Sequence, residues 1–150
     1  MIKENEIKKN LIVLLGISAL IRGFLAFFIE FGNDEVYYWS YAMYPDWSHF
    51  DHPPMVGLFI QLFSGNLFFT SEFFLRLSSV ICMTVNTYLI FLIGKQVKNE
   101  QTGFYAALLY TASIYAFVIT GVFILPDTPL SIFTLLSVLF FIKYFQIGNN

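Results

Sequence analysis

Three short segments hold most of the residues that could do chemistry. The first reads Asn33-Asp34-Glu35-Val36-Tyr37-Tyr38-Trp39, the second His49-Phe50-Asp51-His52-Pro53-Pro54, and the third Leu125-Pro126-Asp127-Thr128-Pro129-Leu130. Carboxylates near a basic group suit a displacement reaction. One acid takes a proton from an acceptor hydroxyl, while a cation steadies the charge that builds on a leaving phosphate. Asp34, Glu35 and Asp127 are the candidate acids. His52 and Arg22 are the candidate cations, and the rings of Tyr37 and Tyr38 suit stacking on a sugar face. His49, Asp51 and His52 also have side chains that hold a zinc-like ion, although their spacing matches no strong zinc motif and a polar turn explains them equally. The blander alternatives are local. Asn33 is a good N-cap, and Asp34 and Glu35 would then stabilise the first turn of a helix. Thr128 as N-cap with Pro129 behind it would start another helix, with Asp127 assisting.

The elements that must position these segments are apolar. Of the residues, 57% are hydrophobic, 20% aromatic and 12% charged, with a mean hydropathy of +0.69. A soluble domain carries about 25% charged residues, so this chain cannot cover a soluble globule. A net charge of −2 excludes both a disordered tail and a nucleic-acid binder, each of which needs charge. The single Cys82 cannot form an internal disulfide. A membrane helix needs about 20 mostly apolar residues, and four stretches approach this: 11–29, 73–94, 104–125 and 130–147. The outer loop 30–72 is too long for a minimal connection, and long ordered loops are usually functional. Within it the apolar run Met55 to Phe69 is too short and polar to span and is expected to lie at the interface. The first span reads as a signal anchor, because no small-residue cleavage site follows it.

Basic residues orient the spans. Lys3, Lys8 and Lys9 precede the first, Lys95 and Lys98 fall between the second and third, and Lys143 lies near the end of the fourth. Positive residues stay inside, so the N-terminus is expected to be cytoplasmic and the acidic loops extracytoplasmic. The Phe-, Ile-, Leu-, Asn- and Lys-rich composition suggests an AT-rich bacterial gene, and with the spans a bacterial plasma membrane is the expected location. Arg22 lies inside the first span, about two turns from its outer end. An ionisable residue there is a functional-site hypothesis by default; it would pair with an acid or a lipid phosphate, or snorkel outward.

The order and spacing of Asp34-Glu35, Asp51-His52-Pro53-Pro54, Arg76-Leu77-Ser78 and Pro126-Asp127-Thr128-Pro129-Leu130 resemble the N-terminal part of the GT-C membrane glycosyltransferases. The closest group is the protein O-mannosyltransferase and aminoarabinose (lipid A) transferase family. The resemblance implies an all-α membrane fold with interfacial helices in the first outer loop. It also implies an inverting transfer of a sugar from a polyprenyl-phosphate carrier to a lipid, protein or cell-surface glycan acceptor. Asp34 matches the family's candidate base, with Glu35 completing an acidic pair, and Asp127 matches an acid in the second outer loop. Asp51 and His52 match an acid-then-basic dipeptide in the lipid A branch, where the acid can bind a divalent metal and the basic residue faces the carrier phosphate. Histidine replaces lysine here, and histidine titrates near roughly pH 6.5. Family members have more spans, so these 150 residues alone are expected to be the N-terminal part and inactive. A non-catalytic transporter or assembly subunit for lipid-linked sugars is the alternative. It predicts polar residues along a path across the membrane, whereas the acids cluster at one surface.

Overall fold

A computed structural model describes residues 4–147. Lys3, one of the basic residues used to orient the first span, lies outside them. All regular secondary structure among the described residues is helical, with no strand. Three helices are long and apolar enough to cross a membrane: α1 (Glu4–Phe28), α4 (Glu72–Val97) and α7 (Asp127–Ile147). Their apolar windows have mean hydropathies of 2.4, 1.8 and 1.7. Between α1 and α4 lie two short helices, α2 (Asn33–Met43) and α3 (Met55–Phe63).

α4 is the hub of the bundle. Of its most apolar window 56% is buried, against 22% for α1 and 17% for α7. α1 presents it with a stripe of Ile7, Leu11, Ser18, Arg22 and Ala26, spaced by one or two helical turns. At one end of the stripe Ile7 and Leu11 pack with Phe91 and Ala107, and near the other Ala26 packs with Val80 and Val122.

The third span departs from expectation. The uncharged run 104–125 is not one straight helix. α5 (Glu100–Ala112) stops at Ser113, whose backbone is extended. A five-residue π-helix (Tyr115–Ile119) and one short turn, α6 (Thr120–Val122), follow at an angle of 75°. π-helical turns are rare and frequently sit at functional sites.

Two helix starts also differ from the sequence reading. α2 is capped at Gly32, not Asn33, because the Glu35 carboxylate reaches back to accept the Gly32 N–H at 3.1 Å. α7 starts at Asp127, so Thr128 is not its N-cap. The Thr128 hydroxyl is buried and donates to the Thr120 carbonyl at 3.0 Å, tying α7 to α6. The interfacial run from Met55 becomes helix only to Phe63. Gly65, Asn66 and Leu67 then take positive φ, turning the chain toward α4. α3 crosses α2 closely at Gly57, where a Cβ would lie 2.7 Å from the Tyr41 backbone.

Candidate functional site

Seven of the ten acidic residues gather at one end of the bundle, where α1 ends and α4 and α7 begin. Adjacent acids are separated by their helical phase. Glu35 turns inward and is 2% exposed, while Asp34 stays exposed. Glu35 forms a two-pronged ion pair with the fully buried Arg76, with Nε to Oε1 at 2.7 Å and Nη2 to Oε2 at 2.6 Å. Its carboxylate also accepts the Ile124 N–H at 3.1 Å. Arg76 in turn donates to the carbonyls of Ala26, Ile29 and Glu30. One ion pair therefore joins the end of α1, the start of α2, α4 and the segment before α7.

Asp34 lines a cleft of about 550 Å³ with Glu30, Asn33, Ile119, Phe123 and Leu125. Asp127 is exposed at the junction of two others. One, of about 350 Å³, places His52 and Asp127 among the apolar Pro53, Met55, Val56, Pro126, Leu130 and Phe133. The second, of about 370 Å³, runs from Asp127 past Leu130, Ser131 and Thr134, facing Tyr110 and Thr120. The Tyr115 hydroxyl donates to Asp127 Oδ2 at 2.9 Å. Asp34 and Asp127 thus line separate clefts instead of one shared pocket.

Asp51 sits at the Pro-Pro corner, held by two phenols. Tyr41 donates to Oδ1 at 2.5 Å and Tyr37 to the same oxygen at 2.7 Å. These bonds stabilise the anion and hold the Asp51 carboxyl below the usual range. Tyr41, 3% exposed, is pushed far above the ordinary phenol range by burial and by its bond to Asp51. Tyr38 packs edge-on against Tyr41 and His52, with ring centroids 5.8 and 5.6 Å away. Burial raises its phenol pKa, and the charges of Asp51, Asp34 and Asp127 raise it further.

The donor set at Asp51 does not fit a metal. Oδ1 already accepts two phenols, and Oδ2 lies 3.7 Å from His52 Nε2. His49 stacks on Tyr41 with ring centroids 3.6 Å apart. Among the described residues no three such side chains come together to hold an ion.

Arg22 does not reach this site. It is fully buried beneath the π-helix and lines none of these clefts. It neither snorkels outward nor meets an acid. Three contributors were missed in the sequence: Tyr41, Tyr115 and the Ile124 N–H. Tyr41 carried a signal, since it stands one turn from Tyr37 on the same helix face; the other two carried none. Arg76 was visible as the one basic residue among the outer acids, without its partner.

The fold and the acid cluster define an all-α integral membrane protein with its polar chemistry collected at one end. Residues 51–150 match the dolichyl-phosphate-mannose-protein mannosyltransferase family, and the chain belongs to that family, whose chemistry is glycosyl transfer with a lipid-linked sugar donor. The match includes His52, Arg76 and Asp127 and begins after Asp34 and Glu35. Neither a curated protein nor a solved structure matches the chain.

Proposed function

We propose that this chain forms the N-terminal part of a glycosyltransferase that moves a sugar, with inversion, from a polyprenyl-phosphate carrier to a lipid, protein or glycan acceptor. The reaction takes place at the extracytoplasmic membrane face. The observation that carries the reading is that Asp34, Asp51, Asp127 and His52 are collected in neighbouring clefts and loops at one end of an apolar bundle. Lys8 and Lys9 at the start of α1, Lys95 and Lys98 at the end of α4 and Lys143 late in α7 all belong to the opposite end. That distribution supports an inward basic end and an outward acidic end.

Asp34 is the base in this reading. It is exposed, and unlike its neighbour it is free of the ion pair, so it can take the proton of an acceptor hydroxyl. Glu35 has every lone pair committed to Arg76, Gly32 and Ile124 and acts by positioning Asp34. Asp127, oriented by Tyr115, assists. His52, opposite Asp127 in an apolar cleft, faces the leaving phosphate when protonated, with the prenyl chain along Met55, Val56, Leu130 and Phe133. Tyr37 and Tyr38 flank the sugar. No step requires a metal at Asp51.

The test uses the full gene product in membranes, supplied with radiolabelled polyprenyl-phosphate sugars. Asp34→Asn and Asp127→Asn are compared with the native protein at matched abundance. Label is expected to move to an acceptor in the native protein. Removing an essential base lowers transfer by about 10²-fold or more, so Asp34→Asn should be nearly inactive at unchanged abundance. Native-level transfer by Asp34→Asn would remove it from the chemistry. No transfer from any donor by the intact native protein would favour the transporter or assembly role.

A further inference from the structure

Arg22 is a buried cation without a carboxylate. It is 0% exposed, and Nη1 and Nη2 meet no hydrogen-bond acceptor among the described residues. Its contacts all lead to the break in the third span. Nε donates to the Phe117 carbonyl at 3.4 Å, and the guanidinium lies over the Phe117 ring, 4.9 Å from its centroid. Gly121 leaves room for both the π-helix and the guanidinium, since a Cβ there would fall 2.6 Å from the Ala116 carbonyl and 2.8 Å from Arg22 Nε. An ionisable group inside a membrane span is rare and marks function, yet this one lines none of the clefts that hold Asp34, His52 and Asp127.

The element it holds reaches both acid clefts. At one end of the π-helix Tyr115 donates to Asp127; at the other Ile119 lines the cleft of Asp34. A π-helix presents side chains on a different phase from an α-helix, so its persistence decides where the Tyr115 hydroxyl points. We propose that Arg22 is a positioning residue. Its flat guanidinium, wedged between α1 and Phe117, holds the π-helix Tyr115–Ile119 in register, so that Tyr115 orients the Asp127 carboxylate for the transfer step. The inference rests on the glycosyltransferase reading above.

The full gene product in membranes, with a labelled polyprenyl-phosphate sugar as probe, provides the test. Arg22→Met, Arg22→Lys, Tyr115→Phe and the Arg22→Met/Tyr115→Phe double variant are assayed per mole of inserted protein. One hydrogen bond to a charged group corresponds to about tenfold in rate. Arg22→Met and Tyr115→Phe are each expected to lower kcat about tenfold with donor KM unchanged, and the double variant to fall no further, as expected of residues acting through one chain of contacts. Arg22→Lys should do no better than Arg22→Met, because an ammonium cannot stack flat on Phe117. Native kcat in Arg22→Met or Tyr115→Phe would overturn the proposal. So would a multiplicative double variant, or full rescue by lysine. If Arg22→Met fails to insert, Phe117→Leu removes the ring on which the guanidinium lies while keeping Arg22 and should show the same kcat loss; native kcat there would also overturn the proposal. If instead Asp127→Asn transfers sugar at the native rate, the reading of the site fails, whatever the Arg22 variants do.

Discussion

Two arginines are fully buried in this bundle, and they are held in opposite ways. Arg76 has two carboxylate partners, Glu35 at hydrogen-bond distance and Glu72 at 3.8 Å, and three backbone carbonyls, and its charge is answered on every side. Arg22 has one long bond to a carbonyl and an aromatic face. The first arrangement is an ion pair inside a hydrogen-bond network, the kind of buried charge that is costly to break by halves. The second is a desolvated charge that stability alone does not explain. Burial is therefore the wrong guide to what an arginine does in a membrane protein. The partner inventory separates a charge that builds the scaffold from one that serves the site.

The comparison breaks first at Arg76. Arg76→Met strands the Glu35 carboxylate, and losing one partner of a buried pair costs about 3–5 kcal/mol. The variant is expected to lose most of its membrane abundance and its heat resistance in detergent. Replacing both partners, in Glu35→Leu/Arg76→Met, should recover much of that loss, because the orphaned charge is gone. A double variant as unstable as the single one would mean that the carbonyl contacts of Arg76 matter more than the pair. Next is Gly121→Ala. Forcing a methyl into a filled space costs about 1–3 kcal/mol, read as a lower midpoint of thermal unfolding. An unchanged midpoint would show the π-helix to be loosely packed around Gly121. Smaller again is Arg22→Met. It strands no carboxylate, and replacing a buried ion by an apolar chain is neutral or stabilising. Its thermal midpoint should match or exceed the native one even as transfer falls, the opposite sign to Arg76→Met. A loss as large as that of Arg76→Met would erase the distinction between the two arginines.

The spans were legible because hydropathy alone marks α1, α4 and α7. The break in the third span was not. Neither proline nor glycine stands at Ser113, and the run 104–125 reads as unbroken apolar helix. What bends it is tertiary: Arg22 beneath Phe117, Gly121 against Arg22 and Thr128 bonded to Thr120. The acids were legible as a group, yet the division of labour between Asp34 and Glu35 was not. Consecutive helical residues point about 100° apart, and which one turns inward depends on Arg76, 41 residues further along the chain. The capping of Gly32 in place of Asn33 follows from the same pairing, since the oxygen that bonds Arg76 Nη2 also takes the Gly32 N–H.

The mildest case extends the comparison from guanidinium to phenol. Asp51 is exposed and held by Tyr41 and Tyr37, which lower its pKa in the folded chain. A depressed carboxyl contributes stability that is fully present above its unfolded value of about 3.9 and is lost as pH falls through the lower folded value. Asp51 tethers the loop between α2 and α3, so acid should free that loop while leaving the bundle intact. A nitroxide on Ser48→Cys, in a chain whose buried Cys82 is replaced by serine, reports this directly. The label is expected to stay restrained down to the usual carboxylate range and to become mobile only below it. In Tyr41→Phe one of the two donors is lost, and the same transition should move up toward the ordinary carboxylate range. Coincident transitions in the two proteins would show that the phenols do not hold the corner, leaving the Pro53-Pro54 turn to set its shape alone.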